Sequence, residues 1–327
     1  MPARRRSSIR PARVRVRAGG AGPMITGHNF GSGPGTAGVA MAYTARDLLG
    51  LLELEPLEHD IYRGRNRDIG TRRVFGGQVQ AQALVAAYRT VDEPRVAHSL
   101  HGYFILPGDI GAPIVYFVDR LRDGRSFTTR RVTAIQHGRA IFNMSASFQV
   151  AESGPEHQVQ MPAVPPPEEL VPELEQVRAR AALLPPELRA VLTQDRPIDF
   201  RQVTPFNPFE PTADEPRRML WLRAIGELPA EPLPHQAVLA YASDYGLLTT
   251  ALLPHALSIY QPRVQVATLD HAVWFHRPFR ADEWLLYVMD SPSAYGARGF
   301  TRGQIFSRGG ELVASVAQEG LTRVWPE

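Results

Sequence analysis

Two long stretches of the chain are apolar on nearly every face, "FGGQVQAQALVAAYRTV" (75–91) and "HQAVLAYASDYGLLTTALLPH" (235–255). Each is too long for an ordinary strand, so the pattern predicts helices over 75–91 and 235–253 that must be covered on most sides. After the first helix come four stretches of alternating apolar and polar residues, rich in aromatic and β-branched side chains: 97–106, 113–124, 126–138 and 139–150. They read as strands, with "DG" and "HG" as turns between them. After the second helix the same order returns in 264–276, 283–294, 299–310 and 312–325, with a lead-in strand at 218–225. The second helix begins about 160 residues after the first, so the chain reads as an internal duplication. A curved sheet wrapped around an all-apolar helix is the hot-dog arrangement, and two such units make a double hot-dog of class α+β. A further amphipathic helix is expected over 44–57, capped by Thr44 with Asp47 in the acidic role.

These elements divide the chain into a tail (1–43), a first repeat (44–153), a linker (154–195) and a second repeat (196–327). Six prolines between residues 153 and 175 mark the linker as a surface segment, with one short helix near 174–184. The charge is uneven. Of 36 basic residues, eight arginines fall within residues 1–46, which hold no acid; the remaining 28 face 33 acidic residues. The basic balance therefore belongs to the tail, and a mildly acidic body gives no nucleic-acid footprint. The tail lacks the apolar run of a secretory signal and reads as disordered, or as an extension from an upstream start with the true start near Met24 or Met41. "GPGTAG" within it fits a dinucleotide fingerprint by spacing but lacks the preceding strand and following helix, so it is set aside.

With 44% hydrophobic and 21% charged residues the composition is globular, and no run of 18 apolar residues predicts membrane insertion. There is no cysteine, hence no disulfide, thiolate nucleophile or Cys-bound metal; a cytoplasmic setting fits. No G-x-S-x-G elbow occurs.

The second apolar helix carries one carboxylate, Asp244, at its middle. Burying an ionised acid without partners is costly, so it is either a satisfied structural acid or a functional one. His271 and His276 lie five apart in one predicted strand and so face opposite ways, which argues against a shared metal. Asp270, two residues after Thr268, should share its face and stand beside it.

The motifs "RRVFGGQV" (72–79), "LRDGRSFTTRRVTAIQ" (121–136), "YASDYGLL" (241–248), "ATLDHAVWFHRPF" (267–279) and "SVAQEG" (315–320) resemble those of the type II acyl-CoA thioesterases, the bacterial TesB and peroxisomal group. The resemblance runs in order from about residue 44 to 325. It implies an acyl-CoA substrate, hydrolysis to free fatty acid and CoA without a metal or other cofactor, and catalytic roles for Asp244, Thr268 and Gln318 in holding and activating the water. It also implies that the first repeat, with no acid on its helix, is a non-catalytic copy completing the pocket, that the repeats pair edge to edge, and that double units assemble into a homo-oligomer. Gly76 and Gly77 are candidates for oxyanion or coenzyme contacts. Arg130, Arg131, Arg298 and Arg302 could meet CoA phosphates or be ordinary solvated strand residues. A hot-dog dehydratase and an acyl-thioester-binding sensor are the alternatives. The acid–hydroxyl–amide set argues against both.

Overall fold

In the computed structural model, which describes residues 43–70, 73–184 and 186–326, the two apolar stretches form α2 (Gly76–Tyr88) and α5 (Pro232–Ser243). Every α2 residue from Gly77 to Ala87 is buried, as is every α5 residue from His235 to Ser243. Gln78 and Gln82, polar side chains buried inside α2, have hydrogen-bond partners. Gln82 donates to the carbonyls of Leu51 (2.7 Å) and Arg65 (2.9 Å), and accepts from the Tyr116 hydroxyl at 2.7 Å. Such pairing is what lets a glutamine sit in an apolar interior.

Around α2 run β2 (Ile61–Gly64), β4 (Ile114–Asp123), β5 (Phe127–Gln136), β6 (Arg139–Val150) and β3 (Arg95–Phe104); β1 (Glu55–Glu58) pairs outside β2. Around α5 run β8 (Arg217–Ala224), β11 (Leu285–Tyr295), β12 (Arg298–Ser307), β13 (Leu312–Val324) and β10 (Asp270–Phe275), with β7 (Ile198–Gln202) outside β8 and β9 (Val264–Thr268) paired to β13. The halves join through antiparallel β3 and β10, with Leu100 opposite Val273, so the described strands make one thirteen-stranded sheet. This is the double hot-dog that the sequence leads one to expect. A single core cluster contains residues of both helices.

Four local readings are corrected. The first helix, α1 (Ala45–Leu52), stops before Pro56, although its expected cap is present: the Asp47 carboxylate accepts from the Thr44 N–H at 2.8 Å and hydroxyl at 2.9 Å. The second apolar stretch is not one helix. It ends at Ser243, turns through Gly246 (φ 75°), and resumes as a 3₁₀ segment from Leu248 to His255, so Asp244 is the C-cap residue rather than a mid-helix acid. The strand over 264–276 is broken at Leu269 into β9 and β10. Finally, the proline-rich segment is structural. Met161, Val164 and Leu170 pack on the outer face of the second half against Trp221, Trp284, Leu286 and Phe306, and α3 (Glu173–Ala179) and α4 (Pro186–Leu192) then wall a cavity. Gly33–Gly38, the start candidates Met24 and Met41, and Arg72 lie outside the described residues. No described helix is long and apolar enough to cross a membrane.

Candidate active site

Three elements of the second half converge at the end of α5. Asp244 caps the helix, Thr268 ends β9, and Gln318 comes from β13, which pairs with β9 through Gly320 and Thr268. Gln318 Nε2 donates to Thr268 Oγ1 at 2.7 Å and to Asp244 Oδ1 at 3.3 Å, while the Thr268 hydroxyl lies 3.4 Å from the same Oδ1. The fourth member comes from the other half: the Gly77 N–H, at the start of α2, donates to Asp244 Oδ2 at 3.0 Å. A helix N-terminus offers unpaired N–H groups and a positive dipole end, so it suits a carboxylate. The two glycines explain how close the approach is. A Cβ on Gly76 would stand 2.7 Å from Asp244 Oδ2, and one on Gly77 would stand 2.3 Å from the Tyr241 carbonyl oxygen. Gly76 and Gly77 are therefore gathered at the site, as seats for the carboxylate.

A carboxylate has about four lone-pair positions, and these three donors leave room for one more partner on the cavity side. That cavity, about 940 Å³, opens beside Asp244, Thr268 and Gln318. Its walls include Phe75 of the first half, Phe200, Tyr241 and Leu252 of the second, and Val177 and Leu184 of the proline-rich segment. The volume and the apolar side chains suit a flexible, largely hydrocarbon ligand.

The proline-rich segment is locked to the site by an ion cluster that sequence patterning does not reveal. Glu173, nine-tenths buried, accepts from Arg196 Nη1 at 2.8 Å, from Gln202 Nε2 at 2.8 Å, and from the hydroxyl of Tyr245, the neighbour of Asp244. Burial pushes the Glu173 pKa up, but Arg196 and Arg218, with the Tyr245 and Gln202 hydrogen bonds, hold it below its usual value. The Tyr245 ring stacks on Phe200 at 4.1 Å, and burial pushes its pKa up.

Other candidates lie elsewhere. Arg130 is 1% exposed and all five of its N–H donors are used, on Thr90, Arg122, Thr129 and Asp123, so it braces the first half and has none left for a phosphate. Arg131 pairs with Asp119, Arg298 with Glu319 and Arg302 with Asp290, all on the exposed face. Neither Arg130 nor Arg131 lines the cavity. Asp270 does not stand beside Thr268: the break at Leu269 turns it outward, where it meets His101 at 3.1 Å and the Glu319 N–H at 2.7 Å. The two histidines do part. His276 meets Ser315 at 2.8 Å near the surface, and His271 is fully buried between Ser243 and Gln318. Burial pushes the His271 pKa down.

In the first half the equivalent place is filled. Counting from each helix start, Tyr88 stands where Asp244 stands in the second half. Its hydroxyl accepts from the Ala97 N–H at 2.8 Å and donates to Gln236, whose amide returns to the Ala97 carbonyl at 2.8 Å. The phenol ring rests edge-on against Phe148. That closed loop has no carboxylate.

Both halves of the chain match known proteins. Residues 189–321 match the family model described as acyl-CoA thioesterase, and residues 63–149 match acyl-CoA thioesterase N-terminal domain. Acyl-CoA thioesterase 2 of Haemophilus influenzae is 44% identical over 283 residues, covering 86% of this chain and 99% of that protein. The crystal structure of an acyl-CoA thioesterase II, TesB2, from Mycobacterium marinum superposes with a TM-score of 0.70 at 46% identity, covering 85% of this chain and 98% of that one. A protein of unknown function with the hot-dog fold from Alicyclobacillus acidocaldarius, at 20% identity, shares the fold with a TM-score of 0.69 over 85% of this chain and 98% of that one. With both halves matched in order and nearly the full length of its relatives spanned, the chain belongs to the acyl-CoA thioesterase II family of thioester hydrolases.

Proposed function

We propose that this enzyme hydrolyses medium- to long-chain fatty acyl-CoA by direct attack of a water held between Asp244, Thr268 and Gln318, releasing free fatty acid and CoA. The observation that carries the reading is the convergence of a carboxylate, a hydroxyl and an amide from three separate elements on the wall of one cavity. Thioester hydrolysis needs a positioned water, removal of its proton as the C–O bond forms, and donors for the charge that develops on the carbonyl oxygen. Asp244 takes the proton. Thr268 and Gln318 fix the water and the carboxylate. As the tetrahedral intermediate collapses, the C–S bond breaks and the proton goes to the departing thiolate. The Gly77 N–H and the Gln318 amide hold the carboxylate in one rotamer, so little reorganisation is left for the reaction.

The acyl chain occupies the cavity walled by α3 and α4, and its size and apolar walls favour chains of medium to long length. The first half supplies Gly77 and part of the wall and performs no chemistry of its own. The test is thiol release from acetyl-, octanoyl- and palmitoyl-CoA by the purified chain. Turnover should be strongest on the longer substrates; the absence of thiol release above buffer from any of them would refute the assignment.

A further inference from the structure

His271 is fully buried and absent from the cavity wall, yet it touches a proposed catalytic side chain. Its Nδ1 lies 3.1 Å from Gln318 Oε1, and its Nε2 lies 2.9 Å from Ser243 Oγ. Both neighbours are buried too, with Gln318 1% exposed and Ser243 0%.

The donor directions can be worked out from one end of this chain of contacts. Asp244 is acceptor-only when ionised, so the Gln318 amide must turn its NH₂ toward it; the reverse orientation would set Oε1 against a carboxylate oxygen. Gln318 Oε1 then faces His271, and a buried carbonyl needs a donor, so the proton of the imidazole sits on Nδ1. A neutral ring with Nδ1–H has an acceptor at Nε2, and the group facing it is the Ser243 hydroxyl. Ser243 Oγ is also 3.1 Å from the Ala240 carbonyl, but donating there would leave two lone-pair acceptors opposed across 2.9 Å. Burial keeps the ring neutral, as this assignment requires.

We propose that Ser243 and His271 form a directional relay that locks the Gln318 amide in the one orientation that donates to Asp244 and Thr268. Ser243 donates to His271, His271 donates to Gln318, and Gln318 donates to the carboxylate and the hydroxyl. Both are positioning residues that act only through Gln318. The proposal rests on the reading of Gln318 as part of the hydrolytic site. It assigns a role to Ser243, the last residue of α5, which ties the helix end to β10 and β13 at the point where Asp244 must be held.

The test compares His271→Leu with His271→Asn, whose side-chain amide can keep a donor near Nδ1, in the wild-type and Gln318→Ala backgrounds. Partners that orient a functional group typically contribute about 10–100-fold, so His271→Leu should lower kcat on palmitoyl-CoA by about that factor with KM nearly unchanged. His271→Asn should recover most of the loss. In the Gln318→Ala background His271→Leu should lower kcat no further, because the group it positions is gone. Should His271→Leu fail to fold, the Ser243→Ala and Gln318→Ala cycle is read by the same criteria. Equal kcat for His271→Leu and wild type, or a full further loss in the Gln318→Ala background, would overturn the relay. Wild-type kcat for Gln318→Ala alone would instead overturn the reading of Gln318 on which it rests.

Discussion

The seat of Asp244 on two consecutive glycines makes a sharp prediction, because alanine at each should fail in a different way. At Gly77 the new Cβ would lie 2.3 Å from the Tyr241 carbonyl oxygen and 2.6 Å from the Phe75 ring. The first of these is backbone of the opposing helix and cannot rotate away. Restoring ordinary contact means parting α2 and α5 by about 1 Å, an overpacking that costs about 1–3 kcal/mol. For a chain of this size, with an unfolding entropy of about 2.1 cal/mol/K per residue, that lowers Tm by roughly 2–5 °C. At Gly76 the Cβ would lie 2.7 Å from Asp244 Oδ2 and 3.0 Å from the Phe104 ring, both side-chain atoms that can give way. Stability should change little. The carboxylate, however, must move by several tenths of an ångström and loosen its bond to the Gly77 N–H, and misplacement on the scale of 1 Å costs up to about 100-fold in rate. Gly76→Ala should therefore lower kcat by about 10–100-fold with Tm near wild type, whereas Gly77→Ala should lower Tm first. Thiol release from palmitoyl-CoA and a thermal melt followed by circular dichroism separate the two. Wild-type kcat in Gly76→Ala, or a wild-type melt in Gly77→Ala, would show that these glycines do not seat the carboxylate in this way.

Two further outcomes follow from the joined sheet and from the partial or full desolvation of four histidines. Residues 196–327 contain Asp244, Thr268 and Gln318 but lack the Gly77 N–H and the β3 partner of β10, so this fragment should be insoluble or inactive; a soluble fragment turning over acyl-CoA at the full-length rate would contradict a shared site. Burial lowers the pKa of His98, His235, His271 and His276, so the unfolded chain binds more protons than the folded one below about pH 6.5 and stability should fall as pH drops through that value. Glu173 and Asp282 are held below their ordinary carboxylate values, so their contribution is lost only at lower pH. A Tm unchanged between pH 8 and pH 5.5 would contradict this.

Much of this arrangement is legible in the residues, and the losses have physical causes. The two all-apolar helices and the strands that follow them repeat a pattern strong enough to give the double hot-dog, since the strands after each helix can wrap round and cover it. Asp244, Thr268 and Gln318 lie far apart in sequence and were brought together by motif order. Local patterning could not show that the helix stops at Ser243, because "YGLLTTALL" continues the apolar character while Gly246 turns the chain. Nor does alternation reveal the break at Leu269, which separates Asp270 from Thr268. The hairpin of β1 and β2 escapes notice because all four residues of β1 are exposed and one is Pro56. The contact between Gly77 and Asp244 spans 167 residues and depends on how two helices cross. Prolines disguise the cavity wall near Glu173 as a solvent-facing linker; the clue lay in the leucines and valines of 174–192, which are more than a surface linker needs.

The proposed removal of a proton from the attacking water by Asp244 is tested by kcat of Asp244→Asn on palmitoyl-CoA, with a melt to confirm that the variant is folded. Asparagine keeps the size and a carbonyl to accept from the Gly77 N–H but cannot take a proton at neutral pH. The variant's kcat should fall by about 100–10,000-fold with Tm close to wild type. A folded Asp244→Asn variant that turns over at the wild-type rate would contradict that role for Asp244.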